Sequence, residues 1–210
     1  KLRSNRAWIE RHINDPFVKK SRREGYRARS VYKLTELDDT EHLFRPGMNV
    51  ADLGSAPGSW TQIVRERLTD KNGELKGRII AMDILPMEPI DGVTFLQGDF
   101  REQEVADKLN EILGGDKLDV VISDMAPNLS GIAMVDANAS LLRNELALDF
   151  AVEHLKPEGV FVTKAFQGSG YSQFIENCKK HFVSVAQRKP EASRNSSAEM
   201  YVVARRLKNK

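Results

Sequence analysis

Four polar residues recur at the ends of short apolar runs. RIIAMD ends at Asp83, FLQGD at Asp99 and VVISD at Asp124, while FVTKA carries Lys164 close to its end. Runs of this length, closed by Gly or Asp, read as buried strands. In open α/β sheets, ligands bind outside the carboxyl ends of the strands, so these four residues would share one rim. A single Asp after a strand is usually a helix N-cap. Several acids on one rim repel each other, and a ligand or nearby cations would offset that repulsion.

The turn after the first such run, DLGSAPGSW (Asp52 to Trp60), narrows the ligand. Its glycines, Gly54 and Gly58, let the backbone turn tightly and pass close to a bound molecule. The spacing is G-x-x-x-G, not the G-x-G-x-x-G of dinucleotide folds. Pro57 removes an N–H where a pyrophosphate would need donors. Asp83 also lies further on than the roughly 20 residues usual for the ribose-binding acid of NAD folds. A nucleoside without phosphates fits better, and S-adenosylmethionine is the candidate. Asp83 would accept from its ribose diol and Asp99 from the adenine amine, while Gly58 and Trp60 shape the wall. The plainer alternative is an ordinary glycine-rich β–α turn.

The elements that position these residues are legible from periodicity. The strand-like runs MNVADLG, GRIIAMD, VTFLQGD, LDVVISD and GVFVTKA mostly alternate with helical segments. Those segments are SWTQIVRERL, EVADKLNEIL, LLRNELALDFAVEHL and SQFIENCKKHF. Alternation of this kind predicts βαβ units and a doubly wound, mostly parallel α/β sheet. FVSVAQRK and MYVVARRL are joined by a polar loop too short for a helical crossover, which predicts a C-terminal antiparallel hairpin. Before residue 46 the pattern is helical. Trp8, Ile9, His12 and Ile13 mark one segment, Pro16 starts a second, and Val31, Leu34 and Leu37 mark a third after Gly25. The expectation is one domain over 1–210, with a basic helical extension at 1–45 and a ligand-binding core at 46–210.

Charge is unevenly spread along the 210 residues. The formal net charge is only +2. Residues 1–33 hold eleven basic and three acidic residues, and residues 188–210 hold seven and two. The middle is strongly acidic. Basic ends of this kind suggest a polyanion met by the termini, against the alternative of a merely solvated arm. KKSRREGYRARSVYK offers Lys19, Lys20, Arg22, Arg23, Arg27 and Arg29 for phosphates, and Tyr26 and Tyr32 for stacking on unpaired bases. Tyr32 has core packing as an equal alternative. Arg194 would extend the same face, with Arg188 and Lys189. The single cysteine, Cys178, excludes an internal disulfide and a cysteine-based metal cluster. It reads as a packed thiol. No apolar run reaches the ~18 residues of a membrane helix, and no secretory signal is present. The chain starts at Lys1 rather than Met, so preceding residues are expected in the natural protein.

DLGSAPGSW, ISDMAPNLSG, VTKAFQG, SVYKL and the S-x-E-x-Y of SSAEMYVVA together resemble the FtsJ/RrmJ family of ribosomal RNA ribose 2′-O-methyltransferases, over nearly the whole chain. The resemblance implies a class I, Rossmann-like methyltransferase fold. It implies a catalytic tetrad of Lys33, Asp124, Lys164 and Glu199, and cofactor contacts at Gly58, Trp60, Asp83, Asp99 and Asp124. It also implies a uridine ribose in 23S rRNA as substrate, presented in the large ribosomal subunit to a cytoplasmic monomer that uses no metal. Ser55 and Ser59 stand where the family usually has Ala and Gly, and both remain small. The 70–76 loop is slightly longer than in the family.

The chemistry agrees with that resemblance. A sulfonium methyl is already electrophilic, so the reaction needs a positioned hydroxyl relieved of its proton. Lys164 would be the base if burial and the second cation, Lys33, lowered its pKa. Asp124 and Glu199 oppose that shift, so a purely electrostatic role stays open. For each lysine alone, the plain alternative is a surface salt bridge. Sites that methylate the exocyclic amine of a base usually carry N/D-P-P-Y/F, and here Asn128 takes the aromatic position. Pyrimidine C5 chemistry needs a nucleophilic cysteine, which Cys178 does not suit. The same tetrad acting on tRNA or a messenger cap, and a non-catalytic ribosome assembly factor, remain the alternatives.

Overall fold

The computed structural model describes residues 2–126 and 133–209. The Asn128 comparison and the end of ISDMAPNLSG therefore lie outside the described residues. Three helices come first: α1 (Leu2–Asn14), α2 (Pro16–Arg23) and α3 (Val31–Glu41). There follow β1 (Asn49–Leu53), α4 (Ser59–Leu68), β2 (Arg78–Asp83), β3 (Thr94–Gln97), α5 (Gln103–Leu113) and β4 (Leu118–Ser123). The chain ends with α6 (Ala133–His154), β5 (Leu155–Phe166), α7 (Tyr171–His181), β6 (Phe182–Arg188) and β7 (Glu199–Leu207).

The strands form one sheet in the order β3-β2-β1-β4-β5-β7-β6. The first five are parallel, and β7 inserts antiparallel between β5 and β6. The order runs outward in opposite directions from the neighbours β1 and β4, which makes their carboxyl ends the topological switch point. β1 is buried at every position because helices cover both faces of the sheet. α5, α6 and α7 pack on one face with a core including Leu109, Leu148, Phe161 and Phe174. α3 and α4 pack on the other, with Leu34, Val64, Trp60 and Tyr201. Local signals set the element ends. Asp15 caps α2 by accepting from Phe17 and Val18 N–H, with Pro16 at the first helical position. Gly114 ends α5 in the left-handed conformation.

The C-terminal hairpin forms as expected, but β5 begins at Leu155, earlier than the apolar run GVFVTKA suggests. α3 is not peripheral: Val31, Leu34 and Leu37 are each at most 3% exposed. Their helix carries Lys33 onto the sheet.

Candidate active site

The switch-point rim gathers the residues that the strand-end pattern singled out. Asp83 closes β2, Asp99 follows β3, Asp124 follows β4 and Lys164 lies near the end of β5. A cleft of about 220 Å³ opens there, lined by Gly54, Asp83, Asp99, Met125 and Arg143 among others. Asp83 is held by its surroundings: its carboxylate accepts from Ala56 N–H at 2.8 Å and from Leu85 N–H at 2.9 Å. Asp99 accepts from the Arg101 side chain at 2.5 Å and from Arg101 N–H at 2.9 Å. The guanidinium keeps this carboxyl below the usual carboxylate range.

The turn earns its glycines sterically. Gly54 has φ +68°, and a Cβ there would sit 2.2 Å from Met125 Cγ. Gly58 has φ +111°, and its Cβ would meet Arg27 Nη1 at 2.8 Å. The Trp60 indole is not part of the cleft wall. It is 2% exposed, its Nε1–H donates to Ser30 O at 2.9 Å, and its ring lies 5.7 Å from that of Tyr201. The side chain faces the core, because an indole gains more from burial against α3 than from the polar cleft. Met125 supplies the apolar wall instead.

Two ion pairs occupy the next stretch of rim. Lys164 Nζ lies 3.4 Å from Asp124 Oδ1, and Lys33 Nζ lies 2.5 Å from Glu199 Oε1. Both lysine side chains are only about one-tenth exposed. α3, the residue after β4, β5 and β7 each contribute one member, so only the tertiary fold assembles the set. Burial pushes the Glu199 carboxyl up, but the Lys33 contact and the Lys164 charge outweigh it and hold the group below the usual range. For Asp124 desolvation wins, and its carboxyl sits above the usual range despite both lysines.

Sequence reasoning assigned no role to Tyr201. In the antiparallel pairing it stands directly opposite Lys164, and its hydroxyl donates to Asp124 Oδ1 at 3.0 Å. Burial raises its pKa well above that of a free phenol, so it stays a donor. The signal was present: Tyr201 lies two residues after Glu199, on the same face of a strand. Asp52 was also passed over. It is buried beneath the turn, accepts from the Thr61 hydroxyl at 2.7 Å, and desolvation pushes its carboxyl to about 7.

The basic residues divide. Lys19, Lys20, Arg22 and Arg23 on α2 are exposed. Arg27 instead clamps two loops, donating to Pro57 O, Glu88 O and Pro89 O at 2.7–3.1 Å. Arg29 is a structural cation: it pairs with Asp15 at 3.3 Å, donates to Ala192 O, and its side chain is 13% exposed. Arg194 meets the same Asp15 at 3.0 Å. Each of these three thus has carbonyl or carboxylate partners within the fold, while Arg194 keeps a side chain that is 40% exposed. Tyr32 is likewise core, 8% exposed with its hydroxyl donating to Glu24. Cys178 is buried and free, and burial pushes its thiol up to about 12. No group of metal-ligating side chains occurs among the described residues. No helix among them is long and apolar enough to cross a membrane.

Comparison with known proteins decides the family. The FtsJ-like methyltransferase profile matches residues 26–207. This chain belongs to the FtsJ-like methyltransferase family. A Bordetella petrii protein named ribosomal RNA large subunit methyltransferase E is 54% identical over 209 residues, covering 100% of this chain and 99% of its own. A Ralstonia pickettii protein of the same name is 54% identical over 217 residues, covering 100% and 98%. Among solved structures, a Plasmodium falciparum protein named as a ribosomal RNA methyltransferase superposes with TM-score 0.77 at 31% identity, over 88% of this chain and 100% of that one. Human methyltransferase-like protein 13, solved in complex with SAH, shares the fold at TM-score 0.57 and 18% identity, over 83% and 79%. This FtsJ-like chain thus has a class I methyltransferase fold and is a methyltransferase.

Proposed function

We propose that this FtsJ-like methyltransferase uses S-adenosylmethionine to methylate a ribose 2′-hydroxyl, that of a uridine in the 23S rRNA of the large ribosomal subunit. The observation that carries the reading is the meeting of the Lys164–Asp124 and Lys33–Glu199 pairs beside a carboxylate-lined cleft at the switch point. The names of the full-length relatives support the choice of large-subunit RNA over tRNA or a cap.

The residues fit the cofactor. Asp83 and Asp99 stand at successive strand ends as acceptors for a diol and an amine. The close approach of Gly54 to Met125 leaves no room for a larger side chain where a ligand would lie. The first turn of α4 presents N–H groups without intrahelical partners, suited to a carboxylate. When bound, the cofactor supplies an electrophilic methyl group. The chain's own work is to hold a hydroxyl and manage its proton. Lys164 sits where it would hydrogen-bond that hydroxyl and take its proton or stabilise the alkoxide electrostatically. Asp124, oriented by the Tyr201 hydroxyl, fixes the Lys164 ammonium. Lys33, held by Glu199, adds a second positive charge. The exposed cations of α2 give RNA an electrostatic approach to this rim.

The test is to incubate unmethylated large subunits with the protein and labelled cofactor and to map the modified nucleotide. A 2′-O-methyluridine in 23S rRNA is expected. Lys164→Ala should abolish transfer while leaving cofactor binding within a few-fold. Labelling of tRNA with none of the ribosomal particle would overturn the substrate reading, and full activity in Lys164→Ala would remove Lys164 from the mechanism.

A further inference from the structure

α6 separates two cavities. Leu142, Arg143 and Leu146 line the cofactor cleft. Ala137, Ser140, Leu141 and Asn144 line a second cavity of about 210 Å³, closed by Phe166 and Gln167 at the exit of β5 and by Tyr171 and Phe174 of α7. At 3.6 residues per turn these two sets lie on opposite sides of the helix. The second cavity begins beside the tetrad: Lys164 Nζ is 5.7 Å from the centre of the Phe166 ring, and that ring forms part of the cavity wall.

Its chemistry is that of a base pocket. The volume is below the roughly 300–1,000 Å³ of drug-sized sites, which suits one heterocycle. Phe166 and Tyr171 offer aromatic surface for stacking. Asn144 lines the cavity, is 8% exposed, and its amide has no hydrogen-bond partner among the described residues. The amide is reached from the cavity, where it can meet a polar ligand edge. An amide carries a donor and an acceptor side by side, matching the N3–H and carbonyl edge of uracil.

We propose that this cavity receives the pyrimidine base of the nucleotide whose ribose is methylated, with Asn144 reading the base edge. The inference rests on the ribose-methyltransferase reading above. Asn144 thereby sets base preference without taking part in proton transfer. Substitution of Asn144 removes no intramolecular hydrogen bond, so the fold should tolerate it.

The experiment uses unmethylated large ribosomal subunits with uridine, or cytidine in its place, at the mapped target. An Asp side chain accepts only, which suits the exocyclic amine of cytosine and opposes the carbonyl of uracil. Asn144→Asp should lower the uridine-to-cytidine ratio of kcat/KM by about tenfold or more. Ser140→Leu, which fills the cavity, should lower kcat/KM on both substrates by a similar factor. Calorimetric affinity for S-adenosylmethionine should stay within a few-fold of wild type in both variants, because the cofactor cleft lies across α6. Unchanged RNA kinetics and an unchanged base ratio in both variants would overturn the proposal while leaving the function intact. Loss of cofactor affinity in both would also overturn it, by making the cavity part of the cofactor site. A wild-type protein that methylates no ribose would overturn the functional reading itself, and the base pocket with it.

Discussion

The Lys33–Glu199 pair allows a quantitative test of how the site is held. Its atoms are 2.5 Å apart, and the two side chains are 10% and 9% exposed. At an effective dielectric of about 20, the gross attraction is about 7 kcal/mol. Removing two charges from water costs several kcal/mol each, so the net worth of the intact pair is small. Deleting one partner is different, because it leaves the other charge buried alone at a cost of about 3–5 kcal/mol. Lys33→Met and Glu199→Gln should therefore each lose about 3 kcal/mol in urea denaturation at pH 7. The double variant leaves neither charge alone, so it should lose well under about 3 kcal/mol rather than about 6, a coupling of more than about 3 kcal/mol. pH supplies a second arm. The folded Glu199 carboxyl lies below its ordinary value of 4.5. Its contribution is therefore complete above about pH 4.5 and lost as pH falls through the folded value. The coupling should shrink over that acid range. Additive losses, within about 0.5 kcal/mol of the sum at pH 7, would refute the picture of a mutually dependent buried pair.

Three further outcomes follow from named contacts. Asp52 is held to about 7 against an ordinary 3.8, so the fold binds its proton more tightly and loses stability as pH rises between those values. Asp52→Asn, which keeps an acceptor for Thr61, should flatten that slope and be more stable than wild type at pH 8 by thermal melting; an identical pH dependence counts against the burial argument. Asp15→Ala removes the α2 cap and leaves Arg29 without its carboxylate, for a loss of about 3 kcal/mol in urea, whereas Asp15→Asn should retain the capping share of about 1 kcal/mol; equal losses in the two variants would refute the capping share and assign the effect to the ion pairs alone. Gly54→Ala should weaken cofactor binding at least tenfold in calorimetry because its Cβ collides with Met125, while Gly25→Ala, with nothing within 4 Å, should leave that affinity unchanged; equal affinities in the two variants would contradict the close-approach reading.

What this sequence determined by itself was set by local physics. Apolar runs ending in Asp or Gly marked the strands, 3.6-residue periodicity marked α4 as Ser59–Leu68, and Asp15-Pro16 marked the start of α2. Those signals lie within a turn or a strand, so the chain announces them without its neighbours. Strand-end placement of Asp83, Asp124 and Lys164 followed from the same reading. Tertiary structure decided which side chains face which. Trp60 turned inward because α3 lies on that side of the sheet, and Arg29 became structural because α2 and the 189–198 loop close over it. Tyr201 joined the site through the β5–β7 register, a pairing between positions 37 residues apart along the chain. The partnership of Lys33 with Glu199 spans nearly the whole chain. Such choices depend on packing and desolvation between distant segments, and no local pattern records which distant partner will leave a charge paired or an amide open.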